Sequence, residues 1–283
     1  LPRQSSVHPA GVVISETPVI EFVPLARAKD GNIVTQFEAP VIEELGMLKM
    51  DFLGLRTLTV ISDCIAMAKE NRKKDPKLYP KEGEDGYELD MDALGYDDPK
   101  VFKSISSGND AGIFQLESEG MQGFMKELAP ESLEDVTAGI SLYRPGPMDF
   151  IPAYLKGKRN PEEVTYETPL LEPILSTTYG CIVYQEQVMQ IVRDLAGYSL
   201  GRSDLVRRAM AKKKMSVMEE ERKRFVYGDE DAGVAGCLKN GISEKVANHI
   251  FDEMTDFAKY AFNKSHAACY AVIGYQTAYL RLY

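Results

Sequence analysis

The sequence predicts an α+β chain, mostly helical, in which a small β region is followed by a long succession of helices. Two observations predict it. Residues 7–53 read as short β-branched and alternating runs with loops between them. From Leu55 onward, apolar residues recur at three- and four-residue intervals between proline-rich turns.

In order, Val12-Val13-Ile14 is a compact β-branched run, and Ile33 to Phe37 alternates apolar with polar side chains. Leu48, Met50 and Phe52 then alternate with Lys49 and Asp51. A period of two predicts burial of the apolar set and puts Lys49 and Asp51 together on the opposite face. A carboxylate beside an ammonium on one strand face is a candidate site; it is also a common surface pair. Helical spacing starts near Leu55 with Leu58, Ile61 and Ile65, and the charged stretch Lys69 to Lys81 is expected to end that helix in a loop with Pro76 and Pro80. Residues 82–98 are acidic and irregular. Short apolar helices then alternate with turns as far as 180, notably at Arg144-Pro145-Gly146-Pro147.

The last third is strongly helical. Val188, Ile191, Val192 and Leu195 make one stripe. Val206, Ala209 and Met210 make a second, with Ser203 as expected N-cap and Asp204 in the first turn. A third uses Val246, Ile250, Phe251, Met254, Phe257 and Ala258, entered through Gly241 and Ser243. A final helix is expected from about Ala267, running to the end without a capping signal, as if the chain were cut there. No internal repeat or low-complexity tract is present.

With 283 residues and a formal net charge of −10, the chain does not have the basic balance of a small nucleic-acid-binding module. A larger protein that gathers its cations in one cleft is still compatible. No run of about 18 apolar residues predicts a membrane span. The first residues, Leu1-Pro2-Arg3-Gln4, show neither an initiator Met nor a targeting pattern, which fits an excised segment. Cys64, Cys181, Cys237 and Cys269 lie far apart without a CxxC pair, so buried reduced thiols are expected rather than a zinc site or disulfides.

Arg202, Arg207, Arg208, Lys212, Lys213 and Lys214, followed by Arg222, Lys223 and Arg224, form the densest basic text. On a helix, Arg208 and Lys212 share a face, and the apolar stripe pins the opposite side into a core. Such a platform suits a triphosphate or a nucleic-acid backbone. The same residues also suit a solvated face countered by Glu219 to Glu221. Lys264 and His266 stand at a break between two helices, where phosphate oxygens can meet a helix N-terminus, and Tyr260 or Phe262 offers a base a stacking surface. A plain helix–helix turn with core aromatics fits equally. Asp90/Asp92 and Asp229/Asp231 have a D-x-D spacing but sit in polar irregular text and read as loop acids. His249 falls among core positions of a long helix and reads as structural. The nucleotide-binding and hydrolase signatures G-x-x-x-x-G-K-[ST], G-x-G-x-x-G and G-x-S-x-G are absent.

These stretches combine into a recognisable order. Val7-His8-Pro9-Ala10-Gly11-Val12-Val13-Ile14, Leu48-Lys49-Met50-Asp51-Phe52-Leu53-Gly54-Leu55-Arg56-Thr57-Leu58 and Gly112-Ile113-Phe114-Gln115-Leu116-Glu117-Ser118 resemble successive blocks of the C-family bacterial replicative polymerase α subunit. So do Leu142-Tyr143-Arg144-Pro145-Gly146-Pro147-Met148, Tyr184-Gln185-Glu186-Gln187-Val188-Met189, Leu205-Val206-Arg207-Arg208-Ala209-Met210 and Phe262-Asn263-Lys264-Ser265-His266. The blocks keep family order over nearly the whole chain.

The resemblance implies that residues 1–55 are the C-terminal part of a palm with a nucleotidyltransferase-type sheet, and 56–283 a helical fingers domain. It implies that Asp51 is the third catalytic and metal-binding carboxylate, with Lys49 beside it. Arg207, Arg208 and Lys212 to Lys214 match the fingers segment facing the incoming dNTP, and Tyr260, Lys264 and His266 the fingers turn near the same nucleotide. Arg144 matches active-site or template-side structure and, with Arg202, is expected to contact DNA. Two Mg²⁺ ions serve such an enzyme. The family's first two palm aspartates lie upstream of the matched segment, so the metal site is expected to be incomplete and the isolated chain inactive. Expected partners are primer–template DNA, dNTP and the rest of the α subunit, with a sliding clamp reached only through other regions. The expected location is cytoplasmic, without membrane contact. The rivals are a non-catalytic nucleic-acid-binding module and an all-helical interaction scaffold.

Overall fold

In the computed structural model, which describes residues 7–74, 83, 89–211, 215–258 and 260–283, the chain separates into two units, Leu1–Thr59 and Val60–Tyr283.

The first unit holds the strands. β1 (Gly11–Ile14) is followed by a hairpin of β2 (Leu25–Arg27) and β3 (Ile33–Thr35), a short helix α1 (Ala39–Glu44) and β4 (Leu48–Asp51). β1 pairs antiparallel with β4, setting Gly11 opposite Asp51, Val12 opposite Met50, Val13 opposite Lys49 and Ile14 opposite Leu48. The small core is Val23, Ile42 and Met47, with Val13, Val19 and Leu25 against it. The expected burial of Leu48, Met50 and Phe52 is reversed: they are 56%, 43% and 63% exposed, and Val12 and Ile14 share the open face. The period of two holds, but the core chooses the other side. Val13 meets the cluster containing Ile42 of α1, and its cross-strand partner Lys49 keeps only 19% of its side chain exposed.

α2 spans Arg56–Lys74 with Ile61 buried; Pro76 and Pro80, expected beyond its end, lie outside the described residues. Next come α3 (Pro99–Ile105), α4 (Glu119–Leu128), α5 (Leu133–Leu142) and α6 (Ile151–Arg159). Asp98, Ser118 and Ser132 cap the first three, each side chain accepting a backbone N–H of the first turn. They are followed by α7 (Glu172–Leu175), α8 (Gln185–Ala196), α9 (Leu200–Ala211), α10 (Met215–Tyr227), α11 (Glu244–Ala258) and α12 (Lys264–Leu282). One core joins α3 to α6 with α12 through Val101, Met125, Leu142, Tyr154 and Tyr275. A second joins α7 to α11 through the fully buried Val188, Ile191, Val192 and Leu195 of α8 with Val206, Phe225, Phe251 and Met254. Phe150 packs on both.

Several local expectations shift. Ser203 is interior to α9: its buried hydroxyl donates to the Ser199 carbonyl at 2.9 Å, and Ser199 Oγ accepts from Arg202 N at 3.3 Å. The helix starts one turn early, with Ser199 rather than Ser203 supplying the side-chain oxygen at its start. α12 begins at Lys264, where Asn263 Oδ1 accepts from His266 N at 2.8 Å and supplies a cap. His249 lies on the exposed side of α11, its Nδ1 2.7 Å from Glu167, because Ala247, Ile250 and Phe251 take the buried stripe. All four cysteines are free, but only Cys237 is buried; Cys64 and Cys181 are half-buried and Cys269 is on the outer side of α12.

Asp110, in the loop after α3, is buried, and neither carboxylate oxygen has a hydrogen-bond partner. Burial pushes its pKa up to about 6 against the attraction of Arg281. The folded state therefore holds a proton that the unfolded chain gives up near the usual carboxylate value of about 3.9. Stability is expected to fall as pH rises from about 4 to about 6 and then level off with respect to this group. Asp110→Asn should flatten that part of the stability profile, followed by urea unfolding at stepped pH. A variant profile that still tracks the native one across the window would contradict the assignment.

Candidate functional site

In the first unit, the register places the one residue without a side chain, Gly11, opposite Asp51. A Cβ at Gly11 would stand 3.0 Å from His8 Nδ1, 3.0 Å from Lys49 Cε and 3.3 Å from Asp51 Oδ1. Into that space Lys49 Nζ donates to Asp51 Oδ1 at 2.5 Å, with His8 Nδ1 3.8 Å from the same oxygen. The hydrogen bond from Lys49 holds the Asp51 carboxyl below the usual carboxylate range. Sequence reasoning brought Lys49 and Asp51 together and missed His8. The signal was the β1–β4 pairing, which a local pattern does not contain. Among the described residues no group of three or more His, Cys, Asp or Glu is arranged to hold a metal ion.

In the second unit, the expected phosphate-facing residues gather at the break between α11 and α12. Phe262 forms a parallel bridge with Tyr184, ahead of α8: Gln185 N donates to the Phe262 carbonyl at 2.9 Å, and Phe262 N to the Val183 carbonyl at 3.3 Å. The Gln185 side chain donates to the Ala261 carbonyl at 3.0 Å and accepts from Arg207 Nη1 at 3.1 Å. One residue thus ties the basic helix α9 to the turn. Glu186 accepts from Lys264 N at 3.0 and 3.1 Å and from Asn263 Nδ2 at 3.0 Å, so an internal carboxylate already sits at the N-terminus of α12. Lys264 Nζ is 3.0 Å from Glu134 and lies over the Tyr184 ring. His266 is exposed and packs its ring on Phe262 and Tyr270.

On α9, Arg207 and Arg208 converge on Asp204, each at 2.7 Å, and the hydrogen bond from Arg207 leads in lowering the Asp204 pKa. Two guanidiniums share one carboxylate, which leaves a net positive charge; Arg208 remains 63% exposed. Arg202 points elsewhere. Its Nη2 is 2.7 Å from the buried Glu221, which also receives Tyr198 and Arg224. Lys212, Lys213 and Lys214 lie outside the described residues. The carboxylate of Asp229 holds Arg224 at 2.7 Å and accepts from Ala232 N, and Asp90 accepts from Asp92 N.

Arg144 is half-buried and fixed on three sides. Nε donates to the Ser141 carbonyl at 3.2 Å, Nη2 to the Tyr260 carbonyl at 2.8 Å, and the guanidinium carbon stands 4.1 Å above the Phe262 ring. Burial lowers its pKa, and it has no carboxylate partner among the described residues. It borders a cavity of about 440 Å³ whose buried floor includes Met121 and Ile140, with Tyr143, Phe262 and Tyr270 as aromatic walls and Gln115 at the rim. Gln115 holds a left-handed backbone, φ +67°. Gly146, at φ +102°, lies beneath the Tyr260 ring, which a Cβ would approach to 2.4 Å.

Comparison with known proteins gives consistent matches. Residues 57–233 match the family described as the bacterial DNA polymerase III alpha subunit finger domain, and residues 1–54 that described as the bacterial DNA polymerase III alpha NTPase domain. Relatives named DNA polymerase III subunit alpha include those of Thermus aquaticus (48% identity over 99% of the chain), Treponema pallidum (44% over 99%) and Bacillus subtilis (44% over 99%). The chain covers 22%, 22% and 23% of their respective lengths.

The contact beneath Tyr260 makes opposite predictions for two glycines. Gly146→Ala meets both a positive φ and an aromatic ring, and is expected to destabilise by about 1–3 kcal/mol. Gly123→Ala, within α4 and with nothing within 4 Å, is expected to stabilise by roughly 0.5–1 kcal/mol. Denaturant unfolding measures both, and equal effects of the two would refute the close approach.

Proposed function

Because the chain belongs to the bacterial DNA polymerase III α-subunit family, we propose that it is the palm-and-fingers piece of a DNA-directed DNA polymerase, with 1–55 as the end of the palm and 56–283 as fingers. In this reading it works in DNA replication in the bacterial cytoplasm, together with the rest of the α subunit on primer–template DNA. No helix among the described residues is long and apolar enough to cross a membrane.

The observation that carries the reading is the link, through Gln185, between Arg207 and the turn at Ala261–Phe262. It gathers a guanidinium pair with excess positive charge, the exposed ring of Tyr260, and Lys264 and His266 in one region. Guanidiniums bind phosphate oxygens in bidentate fashion, and fixed cations offset the charge that grows on the leaving phosphates. An incoming dNTP would exchange part of the Asp204 contact for its own phosphates, and Tyr260 would offer its ring to the base. Lys212 to Lys214, which lie outside the described residues, are proposed as phosphate-binding cations of the same segment. Arg202, committed to Glu221, would support α9 from behind.

Asp51 is proposed as one carboxylate of a two-Mg²⁺ centre. The residues present do not complete that centre: one carboxylate cannot neutralise two divalent cations, and Lys49 already engages its oxygen. The remaining ligands belong to the rest of the parent subunit. What this chain supplies there is Asp51 held ionised by Lys49, with both side chains packed into the room left by the missing side chain of Gly11.

The isolated chain is expected to show no primer extension with Mg²⁺ and dNTPs, and detectable extension would contradict the incomplete centre. Arg207→Ala and Arg208→Ala together are expected to weaken dNTP binding by roughly tenfold or more, with a shallower salt dependence. In the full-length parent subunit, Asp51→Asn is expected to abolish extension while duplex binding persists. Unimpaired extension would leave a non-catalytic nucleic-acid-binding module as the better account.

A further inference from the structure

The turn between α11 and α12 is gripped through three successive carbonyls. Arg144 Nη2 donates to the Tyr260 oxygen at 2.8 Å, the Gln185 side chain to that of Ala261 at 3.0 Å, and Gln185 N to that of Phe262 at 2.9 Å. Gln185 holds two of the three, and the other end of its side chain accepts from Arg207 Nη1 at 3.1 Å. A side-chain amide has one donor end and one acceptor end, and here its two neighbours demand opposite ends. Turned over, it would set its NH2 group against a guanidinium and its oxygen against the Ala261 carbonyl. The orientation is locked from both sides. Ala261 is buried, so loss of the amide would leave its carbonyl short of a partner. The mount is fixed as well: Gln187 accepts the Val183 and Tyr184 amides just ahead of α8, and Val188 and Ile191 are fully buried.

On the α9 side, Asp204 Oδ1 accepts from Arg207 Nε at 2.9 Å and from Nη2 at 2.7 Å, while Asp204 Oδ2 takes Arg208. Together with Gln185, these contacts engage three of the five N–H groups of Arg207 and fix the plane of its guanidinium. An anion arriving at the pair meets a fork whose direction Gln185 helps to set. We propose that Gln185 is a positioning residue that couples anion binding on α9 to the order of the α11–α12 turn, and so to the placement of the Tyr260 ring. The proposal rests on the reading of α9 as phosphate-binding and adds a linkage between two segments far apart in the chain. Such a linkage is reciprocal: an anion that favours the held orientation of Arg207 tightens the turn, and a loosened turn weakens the anion by the same factor. Glu186 gives the contrast. It steadies the same turn through Lys264 N and Asn263 Nδ2, with no hydrogen bond or ion pair to α9 among the described residues.

Hydrogen–deuterium exchange of the 283-residue chain with and without inorganic tripolyphosphate, paired with calorimetric titration of the same anion, tests the coupling. Expected is saturable binding that the Arg207→Ala/Arg208→Ala variant loses. At saturation, amide exchange over 260–264 should slow by roughly five- to fiftyfold. Gln185→Met keeps the side-chain length and the main-chain bond to Phe262 but removes both amide contacts. It should weaken tripolyphosphate by a similar factor and cancel the slowing. Arg207→Lys, which retains the charge and loses the planar fork, should cancel the slowing with Gln185 in place, and serves if Gln185→Met fails to fold. Glu186→Gln separates coupling from plain support: exchange over 260–266 should speed up while the slowing induced by the anion persists. Binding without slowing in the native chain, or slowing that survives in either Gln185→Met or Arg207→Lys, would overturn the coupling alone. No binding, or binding indifferent to the Arg207→Ala/Arg208→Ala variant, would overturn the phosphate reading of α9 and the coupling with it.

Discussion

The parallel bridge between Tyr184 and Phe262 is the constraint from which the second unit's candidate site follows. It joins the start of α8 to the break between α11 and α12, positions far apart in the chain. The polar residues of Gln185-Glu186-Gln187 divide the work. Gln185 holds the turn's carbonyls and reaches Arg207. Glu186 caps α12. Gln187 turns inward, accepting from the Val183 and Tyr184 amides and donating to Thr178 and Ile174. Because the stripe of α8 is wholly buried, the bridge is mounted on an element that cannot rotate without opening a core.

Charge is distributed with the same economy. The chain is acidic as a whole, and its carboxylates engage many of the helical arginines from within: Glu221 takes Arg202 and Arg224, Asp252 takes Arg222, and Asp204 takes Arg207 with Arg208. The buried Arg202–Glu221 contact acts on stability and orientation, because breaking it would strand a charge away from water. Among the described residues, the surplus at Arg207 and Arg208 and the half-buried Arg144 are cations on α9 and at the α11–α12 turn that no carboxylate fully offsets. A negative net charge is therefore compatible with anion binding, since binding depends on which cations lack a close carboxylate rather than on the sum.

The first unit teaches a different lesson about pattern. Its strands obey the period of two, and Lys49 and Asp51 do share a face. Yet the apolar residues of β4 and β1 point away from the core that exists, while Val13 and the stem of Lys49 face it. Alternation fixes which residues go together and leaves open which set is covered. The covered set depends on where α1 and the loops pack.

Much of the helical architecture was legible in the sequence because helical spacing is a local property. The stripes of α8, α9 and α11, the turn at Arg144–Pro147 and the break near Phe262 can all be read from residues within a turn or two of each other. The start of α9 was missed because Ser203 has the chemistry of a cap but lies inside a helix that Ser199 begins. His249 reads as structural among the core positions of α11, but it lies about 100–160° around the helix from the buried Ala247, Ile250 and Phe251 and so faces outward. Sequence alone determined the element types, their order and the family to which the motifs point. Tertiary structure alone decided that His8 joins Lys49 and Asp51, that Gln185 joins Arg207 to the turn, and that Arg144, with no carboxylate partner among the described residues, borders an aromatic-walled cavity. Those are pairings between distant segments, set by packing, and no local periodicity encodes them.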